Sequence, residues 1–427
     1  MSGRIKIRGV RWYIAALLFT ASVINYIDRQ TLSVLAPELT KQLHMSAVGY
    51  ANVLEAFLIA YTLMYLGSGF IVDYLGARLS LACFMAFWSV ANMLHALARN
   101  AFQLGLFRCL LGMGEPGNFM AAFKAISEWY PPKEKGFING LVNGGATVGA
   151  IIAAPLVVWL SFRYKWQSAF VITGALGFIW LAAWLLLYRA PEKHPLITTS
   201  EAALVQAGKA AGPRTASPIK KSALLRLPQT WGLLIAKFLS DPVWWFYLFW
   251  LPKYLVDQRG FTMAQIGIIS WLPYLSADLG AFTGGIASGC LVKRGMKPLR
   301  AREVSLIPCA LIMPISVFVP SVPIAGALVI ISIVTFAHMA WKTNLMTMTN
   351  DAYPIGVVGS VSGIIAFGSG LGSTLFTELT GHIVQHYSYA AVFAIMGFLH
   401  PAAYFAVRAF VRKPVEAPSE VNEYAQA

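Results

Sequence analysis

Charge is scarce in this sequence. Only 12% of its 427 residues are Asp, Glu, Lys or Arg, while 57% are hydrophobic and the mean hydropathy is +0.63. Soluble globular chains carry about 25% charged residues, so a water-soluble protein is excluded and an integral membrane protein is expected. Cysteine is also rare. Cys83, Cys109, Cys290 and Cys309 fall in or beside apolar stretches with no CxxC spacing, which excludes a disulfide scaffold and a thiol redox motif and leaves free thiols. No HExxH, GxSxG or GxxxxGK[ST] occurs, so a metal site and an enzyme are not expected. The one GxGxxG match, "GMGEPG" at 112–117, has no strand before it and lies inside an apolar helix. No organic cofactor is expected either.

What the chain has in abundance is long apolar runs. A hydrocarbon core about 30 Å thick needs roughly 20 such residues per helix, and windows of that length recur at 12–36, 48–72, 80–99, 102–128, 137–160 and 168–188, then at 230–254, 264–291, 303–320, 323–350, 358–384 and 389–411. The expected fold is all-α and membrane-embedded, with twelve spans in two six-helix bundles. The bundles occupy 1–188 and 230–412, joined by a linker at 189–229 and followed by a tail at 413–427. The linker is rich in Pro, Ser, Ala and Lys and is expected to be exposed, with room for a short amphipathic helix.

Lys and Arg gather in the amino terminus, alternate loops, the linker and the tail, while the opposite loops hold few. The positive-inside rule then places both termini in the cytoplasm. The net charge of +15 is thereby accounted for by the membrane boundary, and no nucleic-acid partner is expected. "RWYIAALLFTASVI" continues into Asn25, Tyr26, Asp28 and Arg29 without a small-residue cleavage site, so the first helix is expected to be retained.

A shift of 223 residues lays Glu128, Tyr130, Pro131, Gly136, Gly140, Gly145 and Gly149 upon Asp351, Tyr353, Pro354, Gly359, Gly363, Gly368 and Gly372. Two parallel repeats of six helices are the plan of secondary transporters with a central alternating site. The glycines by themselves are explained by close helix packing.

Charged side chains inside spans are costly and point to a function by default. Arg108 and Glu115 are seven residues apart and lie nearly on one helical face, where they form either a structural ion pair or an anion site beside a proton carrier. Asp28 and Arg29 pose the same alternative in helix one. Tyr26 and Tyr61 offer hydroxyls to a ligand, or sit as interfacial tyrosines. His338 falls on Glu115 in the repeat, which suggests a second titratable group; a packing role is the alternative. Glu55, Asp241, Asp278, Lys124, Lys237 and Lys342 are further charges in spans. Asn344, Thr347, Ser362 and Ser369 can hydrogen-bond, and Trp244, Trp245 and Tyr247 can stack on a sugar-like ring or pack the core.

"GSGFIVDYLGAR" at 67–78 resembles the major facilitator loop signature, with Gly69, Asp73, Gly76 and Arg78 in place and Tyr74 where an arginine is usual. "GVRWY", "SEWYPPKEKG", "FLSDPVW", "WLP", "LSADLG", "FAH" and "GEPGNF" are similar to the anion:cation symporters of that superfamily, and within them to the hexuronate transporters. The resemblance covers almost the whole chain. It implies a proton-coupled importer of an organic acid in a bacterial inner membrane, with H+ as coupling ion and no other cofactor, and a monomer is expected. It also implies that Arg29 binds the substrate carboxylate and that Tyr26 and Tyr61 stand in the site, while Arg108, Asn344 and Trp245 are further binding candidates by residue type. Glu115 and Asp28 are implied as protonation sites, and the repeat adds His338 as a candidate. The loop Gly69, Asp73, Gly76 and Arg78 is implied as a gate. Aldonates, aldarates, dicarboxylates and aromatic acids satisfy the same electrostatics, and a receptor that binds an acid without moving it is the alternative of another class.

Overall fold

The computed structural model describes residues 6, 9–210, 221–353 and 355–415. Among them the regular elements are all helical, as apolar spans require, because a helix satisfies its own backbone hydrogen bonds where no water is present. The first half holds α1 (Val10–Gln42), α2 (Ala47–Leu94), α3 (Ala101–Gly114), α4 (Pro116–Trp129), α5 (Pro132–Arg163) and α6 (Trp166–Leu187), with α7 (Thr199–Ala210) in the linker. The second half holds α8 (Pro228–Arg259), α9 (Met263–Ile269), α10 (Leu272–Lys293), α11 (Pro298–Ile312), α12 (Ile324–Ala352), α13 (Ile355–His386) and α14 (Tyr389–Phe410).

Local sequence sets the helix ends. Ser46 caps α2 by accepting from the Gly49 N–H at 3.0 Å, and Asn100 caps α3 by accepting from the Gln103 N–H at 2.9 Å. Proline opens α4, α5 and α11, where a missing N–H costs nothing. α2 is 48 residues long and holds the expected second and third spans, divided at Gly76, whose φ of 75° and ψ of 167° are left-handed and suit glycine. The expected single helix over 102–128 is instead interrupted: Pro116 lacks the N–H that would bond the preceding turn, so α3 ends at Gly114 and α4 begins one residue past Glu115.

Ten helices among the described residues are long and apolar enough to cross a bilayer. The two expected spans outside that set are α3 with α4 and α8. Both are long enough, at about 43 Å and about 48 Å by helical rise. Each carries internal charge, Arg108 and Glu115 in one and Lys237, Asp241, Lys253 and Asp257 in the other. Taken singly α3 and α4 are 14 residues each, shorter than a span.

The chain divides into two compact units, Met1–Pro213 with Leu251–Trp271, and Arg214–Trp250 with Leu272–Ala427. In the first, a Cβ on Gly145 would lie 2.5 Å from the Phe19 carbonyl oxygen of α1, and one on Gly149 would strike the Val23 carbonyl, so α5 lies backbone to backbone on α1. In the second, Cβ atoms on Gly368 and Gly372 would strike Leu234 and the Phe238 carbonyl of α8, so α13 lies on α8 in the same way. The hydroxyl of Tyr130 donates to the Arg11 carbonyl at the start of α1, and that of Tyr353 meets Thr230 Oγ1 at 2.8 Å at the start of α8. The 223-residue repeat is therefore a repeat of packing. Gly145→Val is expected to destabilise the protein by about 1–3 kcal/mol, read as a lowered melting temperature in detergent. Gly140→Ala, where nothing lies within 4 Å of the added Cβ, is expected to leave it unchanged or raised.

The linker helix α7 is tied down. Glu201 Oε1 accepts from the Arg11 backbone N–H at 3.0 Å, and the Arg11 guanidinium reaches Glu134 of α5 at 2.9 Å.

Candidate functional site

In the first unit the usual arrangement of polarity is inverted. Phe70 and Phe102 are each 80% exposed, whereas Asp28, Arg29, Arg108 and Glu115 are at most 2% exposed, as expected where hydrocarbon lies outside and polar groups gather inside. Sequence spacing left Arg108 as a partner for Glu115. The fold gives Glu115 to Arg29 instead: Arg29 Nη2 and Nε lie 2.5 Å and 2.7 Å from Glu115 Oε2. Glu115 Oε1 has no hydrogen-bond partner among the described residues. The carboxylate stands at the junction of α3 and α4, where Glu115 keeps helical backbone angles, and it reaches across the unit to α1.

Arg29 is enclosed by rings. Its guanidinium carbon lies 4.6 Å from the Tyr26 centroid, 5.0 Å from Tyr61 and 5.6 Å from Phe57, and Nη2 donates to Asn25 Oδ1 at 3.3 Å. Phe57 and Tyr61 come from one face of α2 at a spacing of four. Arg108 lies 4.5 Å from the other occupant of that face, the Phe57 ring, and donates from Nη2 to the Arg29 carbonyl at 3.0 Å. Cation and ring faces attract each other most where water is excluded. Two guanidinium groups thus stand near the Glu115 carboxylate, and the Asp28 carboxylate acts on Glu115 and Arg108 as well.

Asp28 does not neutralise Arg29, as adjacency in sequence allowed. Consecutive helical residues do not face each other, and Asp28 Oδ1 accepts from Asn92 Nδ2 at 2.7 Å, the same amide reaching Thr173 Oγ1 at 2.8 Å. Arg29 and Asp28 therefore belong to two separate polar clusters, one toward α3 and α4, the other toward α6.

In the second unit Asp241 is held by Lys237 at 2.7 Å and by the Ser369 hydroxyl of α13. His338 of α12 stacks on Trp244 with centroids 5.9 Å apart and planes 9° off parallel. His338 Nδ1 also lies 3.1 Å from Nε2 of His400 on α14. Asn344 donates to the Gly284 carbonyl at 3.0 Å and to the Ala340 carbonyl at 2.9 Å, which commits its amide nitrogen to holding α12 against α10. Trp245 packs on Phe249 at 5.2 Å. No group of three or more metal-ligating side chains converges among the described residues.

Residues 18–377 match the Major Facilitator Superfamily. The chain belongs to that superfamily. It is a multi-pass membrane transporter and not an enzyme. Over 396 residues it is 33% identical to the hexuronate transporter of Escherichia coli strain K12, covering 92% of this chain and 91% of that one. It is 35% identical over 282 residues to the galacturonate transporter of Dickeya chrysanthemi, covering 66% of this chain and 82% of the relative. A bacterial homologue of the human lysosomal transporter Spinster, solved inward-facing, has the same fold, with a TM-score of 0.75 and 18% identity over 97% of this chain and 100% of the other.

The signature loop of this major facilitator lies at the break in α2. Gly76 supplies the left-handed turn. Asp73 meets Lys124 of α4 at 3.1 Å. Arg78 donates to the Leu185 carbonyl at 2.5 Å, while its own carbonyl accepts from the Trp184 indole at 2.9 Å, so it fastens α2 to α6. Tyr74, in the place of the usual arginine, is 89% exposed. Gly69 has open space where a Cβ would stand.

Sequence reading missed Asn25, Phe57, Asn92, Thr173 and His400 as neighbours of these groups. Asn92 and His400 carried a signal, being polar residues within apolar runs. Asn25, one helical turn before Arg29, and Phe57, one turn before Tyr61, also had one in their spacing. Thr173 had none, because threonine within a span commonly bonds its own helix.

Proposed function

We propose that the protein imports a hexuronate together with protons across a bacterial inner membrane, with both termini cytoplasmic, acting as a monomer. The observation that carries the mechanism is the buried pair of Arg29 and Glu115, and the likeness to a hexuronate and a galacturonate transporter supports the substrate class. While Glu115 is ionised it occupies Arg29, and the substrate carboxylate is kept from that guanidinium. Protonation of Glu115 removes its charge and releases the guanidinium, which then takes the substrate carboxylate, with Tyr26 and Tyr61 beside it and Arg108 reinforcing the positive field. Asp28, on the neighbouring cluster with Asn92 and Thr173, is a second proton site.

This exchange couples the two solutes. A buried cation without a partner costs several kcal/mol, which disfavours the carrier with Glu115 protonated and no substrate. Two anions on one guanidinium disfavour the carrier with substrate and an ionised Glu115. The states left to cross between the two faces are the empty, paired one and the one holding both anion and proton. Differential stability of these states is what allows one gradient to drive the other.

The test is uptake of labelled galacturonate and glucuronate by the purified protein in liposomes, with and without an inward proton gradient, beside an aldonate and a dicarboxylate. Gradient-driven accumulation of a hexuronate is expected. Accumulation of only another acid would discard the substrate and keep the symport, while binding without accumulation would leave a receptor.

A further inference from the structure

Glu115 Oε1, Asn25 Nδ2 and Asn118 Oδ1 are buried with no hydrogen-bond partner among the described residues, and all three residues are 0% exposed. Geometry links them. Arg29 Nη2 lies 2.5 Å from Glu115 Oε2 and also donates to Asn25 Oδ1 at 3.3 Å, so the carboxylate and the Asn25 amide meet on one nitrogen. The Asn118 N–H bonds the Glu115 carbonyl at 3.1 Å, and residues three apart on a helix are side-chain neighbours. Asn118 Nδ2 donates to Ser22 Oγ of α1 at 3.2 Å. Ser22 and Arg29 are seven residues apart and nearly on one helical face, so Glu115 and Asn118 both reach to the same side of α1, with Asn25 between their two contacts.

The chemistry of these atoms separates the two forms of Glu115. A guanidinium only donates, which fixes Oδ1 as the end of Asn25 that faces Arg29 and leaves Nδ2, a donor, to spare. An ionised carboxylate only accepts; a protonated one gains an O–H donor and keeps an accepting carbonyl oxygen. Asn25 Nδ2 suits either form. Asn118 Oδ1 suits the protonated form alone, since acceptor facing acceptor is repulsive. A buried O–H left without an acceptor is costly, so protonated Glu115 needs one. The charged and titratable groups that act on Glu115 are Arg29 and Asp28 of α1, Tyr61 of α2 and Arg108 of α3, with Tyr26 acting on Arg29. The arginines offer donors only, Asp28 is hydrogen-bonded to Asn92 in the other cluster, and Tyr61 sets its ring against Arg29. The acceptor one turn along α4 is Asn118 Oδ1.

We propose that Asn25 and Asn118 form a second seat for the Glu115 side chain, taken only when its carboxyl is protonated: the O–H donates to Asn118 Oδ1 and the carbonyl oxygen accepts from Asn25 Nδ2. The inference rests on the proposed protonation of Glu115 and names the residues that position the neutral acid. In that seat the carboxyl stands off Arg29, while Asn25 Oδ1 keeps the guanidinium in place for the substrate carboxylate. Asn25 is neutral, so the charge of Arg29 still requires an anion and proton and anion stay coupled.

The test is binding of galacturonate to the purified protein across a range of pH. Asn118→Ala removes the acceptor and touches neither Arg29 nor the carboxylate. It is expected to move the midpoint at which affinity falls to lower pH by about one unit, so that above both midpoints the variant binds about tenfold more weakly. At the acid limit, where Glu115 is protonated in both proteins, affinity is expected to be equal. A midpoint that stays in place in the folded variant, including one accompanied by weaker binding at every pH, overturns the proposal. Should Asn118→Ala fail to fold, infrared difference spectra of the unaltered protein with carbon-13 in its asparagine side-chain carbonyls decide the matter. Acidification is expected to shift a labelled carbonyl band as the Glu115 carboxyl band appears, the latter identified by its loss in Glu115→Gln. A Glu115 band that appears while every labelled band stays in place overturns the seat and leaves the protonation standing. If no Glu115 band appears and affinity does not vary with pH, the protonation itself fails, and the proposed mechanism and the seat fall together.

Discussion

Arg29→Lys is expected to raise the substrate concentration for half-maximal uptake by roughly 10- to 100-fold, because one charge-assisted hydrogen bond of about 1.5–3 kcal/mol is lost. A lysine keeps the charge and discards the planar fork with which Nε and Nη2 now converge on Glu115. Removing the cation altogether has a different consequence. Arg29→Ala leaves Glu115 buried without its partner, and breaking such a pair typically costs about 3–5 kcal/mol of stability, so loss of transport in that variant alone would be ambiguous. The double variant Arg29→Ala with Glu115→Ala removes both charges and is expected to recover most of the stability without recovering transport. Melting temperature and uptake, measured on the same samples, separate the two effects. Recovery of transport along with stability would mean that the pair is only structural.

Glu115→Gln is expected to abolish the pH dependence of substrate affinity. In the unaltered protein affinity is expected to fall as pH rises, because on the proposed mechanism the ionised carboxylate recaptures Arg29 and competes with the anion. An amide at the same place cannot compete, so affinity in the variant stays high at alkaline pH. Exchange of labelled for unlabelled substrate across the membrane is expected to persist, since the anion still supplies the counter-charge to Arg29. Net accumulation falls about tenfold for each unit of pH gradient, the loss of one coupled proton. Full accumulation in this variant would rule out Glu115 as a carrier of the coupling proton.

Several features were legible before any coordinates. The apolar runs, the match of glycines at a shift of 223 and the signature around Asp73 lead to a duplicated helical transporter. The loop expected between the spans 48–72 and 80–99 is in the structure a single break at Gly76 within α2. The break at Pro116 was written in the same code and was overlooked, because "GEPG" lies inside an unbroken hydrophobic window. Glu115 stands directly before that proline.

The sequence alone determined which charges lie within apolar spans, because hydropathy and charge are additive along a chain and a lone Arg or Glu in an apolar run stands out. It also determined the repeat, since packing of α5 on α1 and of α13 on α8 demands glycine at matched places. Only the tertiary structure decided the partners. Arg29 and Glu115 are 86 residues apart, Asp28 and Asn92 64, and His338 and His400 62. No local periodicity spans such separations. Partner choice rests on how helices are rotated about their axes, and a rotation of about 100° per residue sends Asp28 and Arg29, neighbours in the chain, to different helices and to different partners.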